Sequence, residues 1–323
     1  MTTTSLTGNS TTTESTTAAS VPKKDYRLAA LWRFATAITV LNLLGHFYLG
    51  FEQSWAQPLV GLATAYSLEL ILELLSAWGE KRPVRFLGGW RNFLSVVLPA
   101  HITGVAVPML LYANDQLWPI AMAVAIGIGS KYIFRVRMGN RTTHFFNPSN
   151  TGIAATLLIF PWVGIAPPYQ YTEHIAGIWD WVLPAVIILA GSYLNLNFTR
   201  KIPLILGWVG GFALQAILRH LFLDTPLTLA LLPMTGMAFL LFTFYMVSDP
   251  GTTPFEKRKQ VGFGLAVAAT YGLLMAFHIV FGIFFALVIV CTVRGLWIYA
   301  TSLAEQRRPA TAQQGRPLTA GGD

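Results

Sequence analysis

Apolar residues in this chain come in long blocks rather than alternating with polar ones. Between residues 28 and 300, runs of roughly 17 to 25 residues with few charges recur, the length that crosses ~30 Å of hydrocarbon at 1.5 Å per residue. About ten such runs are legible, over residues 28 to 51, 57 to 78, 93 to 113, 117 to 134, 150 to 166, 177 to 196, 203 to 223, 227 to 247, 260 to 277 and 279 to 300. Helices are the expected elements, because a segment in lipid must satisfy its own backbone N–H and C=O groups. The predicted fold is an all-α, polytopic membrane protein. The fifth run is short and opens at Asn150 directly after Pro148, so it reads as a partial or re-entrant helix. Only a tight turn near His278 separates the last two.

The flanks differ in kind. Residues 1–26 are rich in Ser and Thr and have no apolar core, so they match neither a cleavable signal nor a span. Residues 301–323, with several Gly, Pro and Gln, have too little apolar surface to fold alone. Both are expected to be disordered tails around a transmembrane domain over 27–300.

Composition supports lipid as the solvent: 54% of the 323 residues are hydrophobic, 11% are charged, and the mean hydropathy is +0.54. A net charge of +8 raises the question of a nucleic-acid partner. The Lys and Arg residues sit in short clusters between apolar runs instead of along one polar face, which excludes that reading. The single cysteine, Cys291, lies inside an apolar run, so neither a disulfide framework nor an iron-sulfur cluster is expected.

Those basic clusters test the span count, since loops facing the cytoplasm are enriched in Lys and Arg. Lys23, Lys24, Arg27 and Arg33 precede the first run, Lys81, Arg82, Arg85 and Arg91 follow the second, and Lys131, Arg135, Arg137 and Arg141 follow the fourth. Arg200 and Lys201 follow the sixth, Lys257, Arg258 and Lys259 the eighth, and Arg294, Arg307 and Arg308 close the tenth. The alternate loops carry Glu52, Asp115, Glu173 and Asp224, with Arg219 as their only cation. Ten spans with both termini in the cytoplasm of a bacterial inner membrane reproduce this alternation; an odd number breaks it.

Two of the basic-side connectors are built differently from the rest. In Thr142-Thr143-His144-Phe145-Phe146-Asn147-Pro148-Ser149-Asn150-Thr151-Gly152, side chains that bond backbone groups flank a proline at the mouth of a helix, a start that can hold an anion. In Ser248-Asp249-Pro250-Gly251-Thr252-Thr253-Pro254, an Asp-Pro-Gly turn presents Thr252 and Thr253 just ahead of Lys257, Arg258 and Lys259. Tight-loop chemistry and helix capping account for the same residues. Similar proline breaks after runs four and eight hint at duplicated halves.

Together, FFNPSNTG and SDPGTTP resemble motifs of one membrane-protein family, the RnfD/NqrB family of integral membrane subunits found in Rnf-type electron transport complexes and in the sodium-translocating NADH:quinone reductase. The chain is most similar to the divergent branch found beside enediyne and other secondary-metabolite gene sets, over about Arg91 to Tyr299. The resemblance implies ten helices in two inverted five-helix halves, flavin-linked electron transfer coupled to cation movement, and other membrane electron-transport subunits as partners. It makes Asn147, Pro148, Ser149, Asn150, Ser248, Asp249, Thr252 and Thr253 the candidate cofactor-binding residues. Relatives with covalent FMN attach it to the last Thr of a Ser-x-x-Thr-like motif in the outer loop after span five. Here Tyr169 stands where that Ser is expected, so Thr172 reads as an ordinary loop residue and covalent FMN is not expected.

Ionisable groups inside the runs are the other candidates, because each costs at least a few kcal/mol in lipid unless it faces protein or water. Glu69 and Glu73, four apart, share a helix face well inside the second run. Two unpaired carboxylates there would repel, which calls for a bound cation, a shared proton or a buried basic partner; an ion path is the preferred reading. His101 lies near mid-depth in the third run, between Pro99 and Gly104, as a further ion-path candidate or a satisfied core histidine. His46 and His101 differ in depth by about nine positions, roughly 13 Å, too far for two axial ligands of one haem. His174, His220 and His278 fall near the outer surface and suggest no metal site. Gly127, Gly129, Gly207, Gly210, Gly211, Gly262 and Gly264 put small surfaces on the spans for close helix approach.

Two functions stay open. One is a redox-associated subunit that carries flavin and couples electron flow to sodium or proton movement. The other is a permease or channel for a small solute or pathway product, on the same scaffold and without a redox cofactor.

Overall fold

The computed structural model describes residues 26–138, 141–167 and 171–306. The sequence before Tyr26, the end beyond Gln306 and residues 168–170, Tyr169 among them, lie outside the described residues. The chain folds as an all-α bundle. Helix α1 (Tyr26–Leu44) runs on into a π turn over Gly45–Leu49 and is followed by α2 (Ala56–Gly79), α3 (Trp90–Leu110) and α4 (Trp118–Ile133). A short helix α5 (Pro148–Ile159) closes the first part of the chain. Helix α6 (Trp179–Leu194) again runs into a π turn, Asn195–Thr199, and leads to α7 (Ile202–Leu223). Then come α8 (Leu227–Leu231), α9 (Met237–Leu241) with its π turn Phe242–Met246, α10 (Lys257–Ala276) and α11 (Gly282–Gln306). Two small antiparallel pairs staple the loops: β1 (Leu111–Tyr112) with β4 (Gly164–Ile165), and β2 (Arg135–Met138) with β3 (Arg141–His144).

Six of the described helical stretches are long and apolar enough to cross a membrane, or seven if the pair over Leu227–Met246, bent by 65° at Gly236, is one span. The other three predicted runs are helical but fall short for separate reasons. Helix α4 has 16 residues and α5 has 12, roughly 24 and 18 Å of rise. Helix α10 spends its first turn on Lys257, Arg258 and Lys259. The tight turn near His278 is present, with His278 and Phe281 both at positive φ. Helix α11 continues to Gln306, so residues 301–306, assigned to a disordered tail, are helical. An extended apolar surface faces outward: Leu75, Leu158, Leu189, Leu206, Leu273 and Val293 are all exposed. Such an exterior is stable only when lipid covers it.

Helices cross where they are smallest. A Cβ on Gly61 of α2 would collide with Gly104 O on α3, and one on Gly152 of α5 with Ala123 O on α4. Between α7 and α10, a Cβ on Gly207 would sit 2.6 Å from Val261 O, and one on Gly264 would collide with Leu204 O and Trp208 N. Gly127 and Gly211 are packed in the same way, whereas Gly129, Gly210 and Gly262 meet nothing within 4 Å. Close backbone approach is how apolar helices gain dispersion contacts when lipid removes the hydrophobic drive between them. Around the α7–α10 crossing, buried Trp208 stacks among Phe212, Phe239 and Phe242 and donates through Nε1 to Thr243 Oγ1 at 2.9 Å.

Candidate functional site

The two proline turns pack against each other. Asn147, in extended backbone, is the N-cap of α5: its Oδ1 accepts from Asn150 N at 3.0 Å, and Pro148 takes the first helical position, where a missing N–H is harmless. The same carboxamide donates through Nδ2 to Met246 O at 3.3 Å, the last residue of the π turn after α9. One turn on, Asn150 Nδ2 donates to Phe284 O of α11 at 3.0 Å. Thr143 Oγ1 reaches Gly251 O at 3.5 Å, so the hairpin that feeds α5 also touches the second motif. The Asn147 carboxamide thus takes the Asn150 N–H at this helix start.

The second motif is internally bonded. Asp249 accepts from Gly251 N at 3.2 Å and from Thr252 Oγ1 at 2.9 Å, while Thr253 Oγ1 donates to Asp249 O and Ser248 Oγ to Phe244 O. Asn147, Ser149, Asn150, Ser248, Thr252 and Thr253 are all buried. Two cations missed as site residues hold the outside of this turn. Lys201 is buried, donates to Pro254 O at 2.6 Å and lies over the Phe255 ring; Arg294 of α11 donates to Thr252 O at 2.7 Å. Sequence offered Lys201 only as one of a basic pair that marks a loop, and no spacing ties it to Pro254, 53 residues on.

Electrostatics in the turn follow from burial. The Lys201 ammonium is pushed down from 10.5 to about 8 by loss of water, opposed by the Asp249 carboxylate. His144, whose Nε2 and the Asp249 carboxylate oxygens each lie 3.6 Å from where a Gly251 Cβ would be, is held below 6.5 by burial, again against Asp249. A side chain at position 251 would enter the space between that imidazole and that carboxylate.

The acidic pair on α2 has a different character from the one expected. Glu69 Oε2 is 2.6 Å from Lys131 Nζ of α4 and its Oε1 accepts from Tyr132 Oη at 3.1 Å. Glu73, fully buried, receives Arg82 Nη1 at 2.5 Å and Arg85 Nη2 at 2.8 Å, together with Arg85 N at 3.1 Å. Of the three ways to compensate two carboxylates, the structure supplies basic partners for both: Lys131 for Glu69, and Arg82 and Arg85 for Glu73. Outside the helix, Arg82 also pairs with exposed Glu80 at 2.6 Å, and these hydrogen bonds lower the Glu80 carboxyl from its ordinary value.

His101 lies between three helices, with Thr39 Oγ1 of α1 2.7 Å from Nε2 and Tyr66 Oη of α2 2.6 Å from Nδ1. Both ring nitrogens are therefore engaged. Thr172 follows buried Tyr171, whose hydroxyl donates to Met109 O at 3.2 Å, and its carbonyl accepts from Ile175 N. The structure brings the two motifs together and places the Glu69, Glu73 and His101 set elsewhere, on α2 and its neighbours. The chain matches no protein-family model and no curated protein.

Proposed function

We propose that this chain is an ion-translocating membrane subunit that resembles the flavin-carrying subunit of Rnf-type electron transport complexes. On this reading it crosses a bacterial inner membrane ten times in two inverted five-helix halves, keeps both termini in the cytoplasm and works beside other electron-transport subunits. The observation that carries translocation is the contact between a short helix and a broken one: α5 begins at buried Asn147, and the bent α8–α9 stretch ends at Met246, where the Asn147 carboxamide meets it. Discontinuous helices meeting at the interface of two repeats are how ion-coupled transporters expose backbone groups to a permeant ion. A second parallel supports two halves: α1 and α6 both end in a five-residue π turn closed by a left-handed residue, Gly50 and Arg200 respectively. The ten crossings require α4, α5 and α10 to span in company with neighbours that cover their short or charged ends.

The redox part rests on the motif resemblance. One feature favours the permease reading instead: the Thr252, Thr253 and Ser248 hydroxyls all donate to groups within or next to the turn. Purification in detergent, an absorbance spectrum and acid release of flavin decide between the two. Flavin at about one per chain supports the redox subunit, and a colourless protein that still moves cations in liposomes supports the permease. A preparation that is colourless and moves no cation overturns the proposal.

A further inference from the structure

Polar side chains of the first three helices fall on one seam. On α1, Thr39 and Asn42 stand three apart and His46 follows in the π turn that ends the helix; on α2, Tyr66, Glu69 and Glu73 stand at i, i+3 and i+7 and occupy one helix face. The short connector over residues 50–55 keeps the end of α1 beside the start of α2. His46 and Glu73 therefore lie at opposite ends, and Thr39 and Tyr66 meet in the middle, on the two sides of the His101 ring. Seven residues of rise on each helix give about 10 Å apiece, so the seam covers roughly 20 Å of a ~30 Å hydrocarbon layer.

The hydrogen bonds at its centre form one continuous chain, and the ring tautomer sets its sense. With the Thr39 Oγ1 hydrogen on Ala35 O, 2.7 Å away, Thr39 accepts from His101 Nε2 and Nδ1 accepts from the Tyr66 hydroxyl. With that hydrogen turned to Nε2, the other tautomer donates from Nδ1 to Tyr66. At the α1 end, His46 Nδ1 donates to Asn42 O at 2.9 Å, which leaves Nε2 as a bare acceptor; it and Asn42 Nδ2 are buried with no hydrogen-bond partner among the described residues.

We propose that this seam conducts protons through the first half of the bundle, with His101 as the mid-depth relay between Tyr66 and Thr39. The inference rests on the translocation reading above and specifies its ion. A proton delivered by water to Tyr66 Oη sends the hydroxyl hydrogen to Nδ1, the Nε2 hydrogen passes to Thr39 Oγ1, and Thr39 turns its own hydrogen away from Ala35 O and gives it to a water on the His46 side. One proton enters and one leaves, only O–H and N–H bonds change, and rotation of the ring and hydroxyls restores the starting state. The ion pairs Glu69–Lys131 and Glu73–Arg82 line the other end of the path.

The test uses the purified full chain in liposomes with a trapped pH dye and a potassium diffusion potential. Wild type is expected to take up protons. Thr39→Val and Tyr66→Phe each remove one hydroxyl at nearly constant volume and should each slow uptake about a hundredfold, while Thr39→Ser restores it. Thr270→Val, which removes a similar back-bonded hydroxyl on α10, should not alter the rate. Helix content and gel-filtration profiles identify variants that fail to fold, and Tyr66→Phe supplies the reading if Thr39→Val is among them. Proton uptake at the wild-type rate in folded Thr39→Val and Tyr66→Phe overturns the relay. Sodium uptake by wild type without proton uptake also overturns it and leaves translocation standing; uptake of neither ion overturns both.

Discussion

Lys131 Nζ of α4 and Glu69 Oε2 of α2 stand 2.6 Å apart inside the bundle, both largely shielded from solvent, and together they tie two helices that the chain separates by 62 residues. Breaking such a pair on one side strands the other charge. Lys131→Met and Glu69→Gln are each expected to lower stability by about 3–5 kcal/mol, read as a fall in the melting temperature in detergent. The double variant should recover a large part of the loss, because it leaves no orphan charge. A double variant as unstable as the sum of the singles would show that the pair contributes nothing as a pair.

Glycines at the α7–α10 crossing give a sharper steric contrast. Gly207→Ala puts a methyl 2.6 Å from Val261 O, a backbone atom that cannot turn away, and should cost about 1–3 kcal/mol. Gly210→Ala, three residues on, meets nothing within 4 Å and should be neutral or gain about 0.5–1 kcal/mol through helix propensity. Thermal unfolding of both in one detergent checks the pair of expectations, and equal loss in both would refute the crossing.

Much of the helix layout was legible because lipid imposes a simple rule: apolar runs of bilayer length become helices, and all ten predicted runs contain helical residues. The break at Gly236 and the π turns were not legible, since they come from packing rather than hydropathy. Glu73 shows the limit most clearly. Its depth and its spacing from Glu69 could be read directly, yet its partners Arg82 and Arg85 stand in a loop whose charge reads equally well as a topology signal. Lys201 was hidden for the same reason. Its neighbour Arg200 is of the same type and is exposed, and only the fold of the Ser248–Pro254 turn separates the two.

Burial of Lys201 makes stability depend on alkaline pH. Below pH 8 the ammonium is charged both folded and unfolded, and the cost of burying it is present in full. Between about 8 and 10.5 the folded protein has lost that proton while the unfolded chain keeps it, so stability rises with pH across the window. The gain is at most about 3 kcal/mol. Lys201→Met removes the slope, so the melting temperature of wild type minus that of the variant should increase from pH 8 to pH 10. A constant difference would mean that Lys201 titrates near its ordinary value.

His144 acts at the other end of the scale. Its folded-state value lies below 6.5, so as pH falls through 6.5 the unfolded chain takes up a proton that the native imidazole resists, and stability drops. His144→Gln should be less sensitive than wild type to acidification from pH 7 to pH 5, measured by thermal unfolding at each pH. Equal sensitivity would place the titration elsewhere.

The meeting of the two proline turns can be tested in the native membrane. Thr143 Oγ1 lies 3.5 Å from Gly251 O, and both residues are accessible enough for an oxidant to reach. The endogenous Cys291 is buried in α11 and can be replaced by Ser to leave a clean background. A chain carrying Thr143→Cys and Gly251→Cys should form an intramolecular disulfide on mild oxidation, seen as a reducible band of higher mobility. Arg137→Cys with Lys257→Cys, labelled from one side by a membrane-impermeant thiol reagent, then asks whether both connectors face the same compartment. Labelling from opposite sides, or no cross-link between positions 143 and 251, would separate the two turns and remove the contact between short and broken helices from which translocation was inferred.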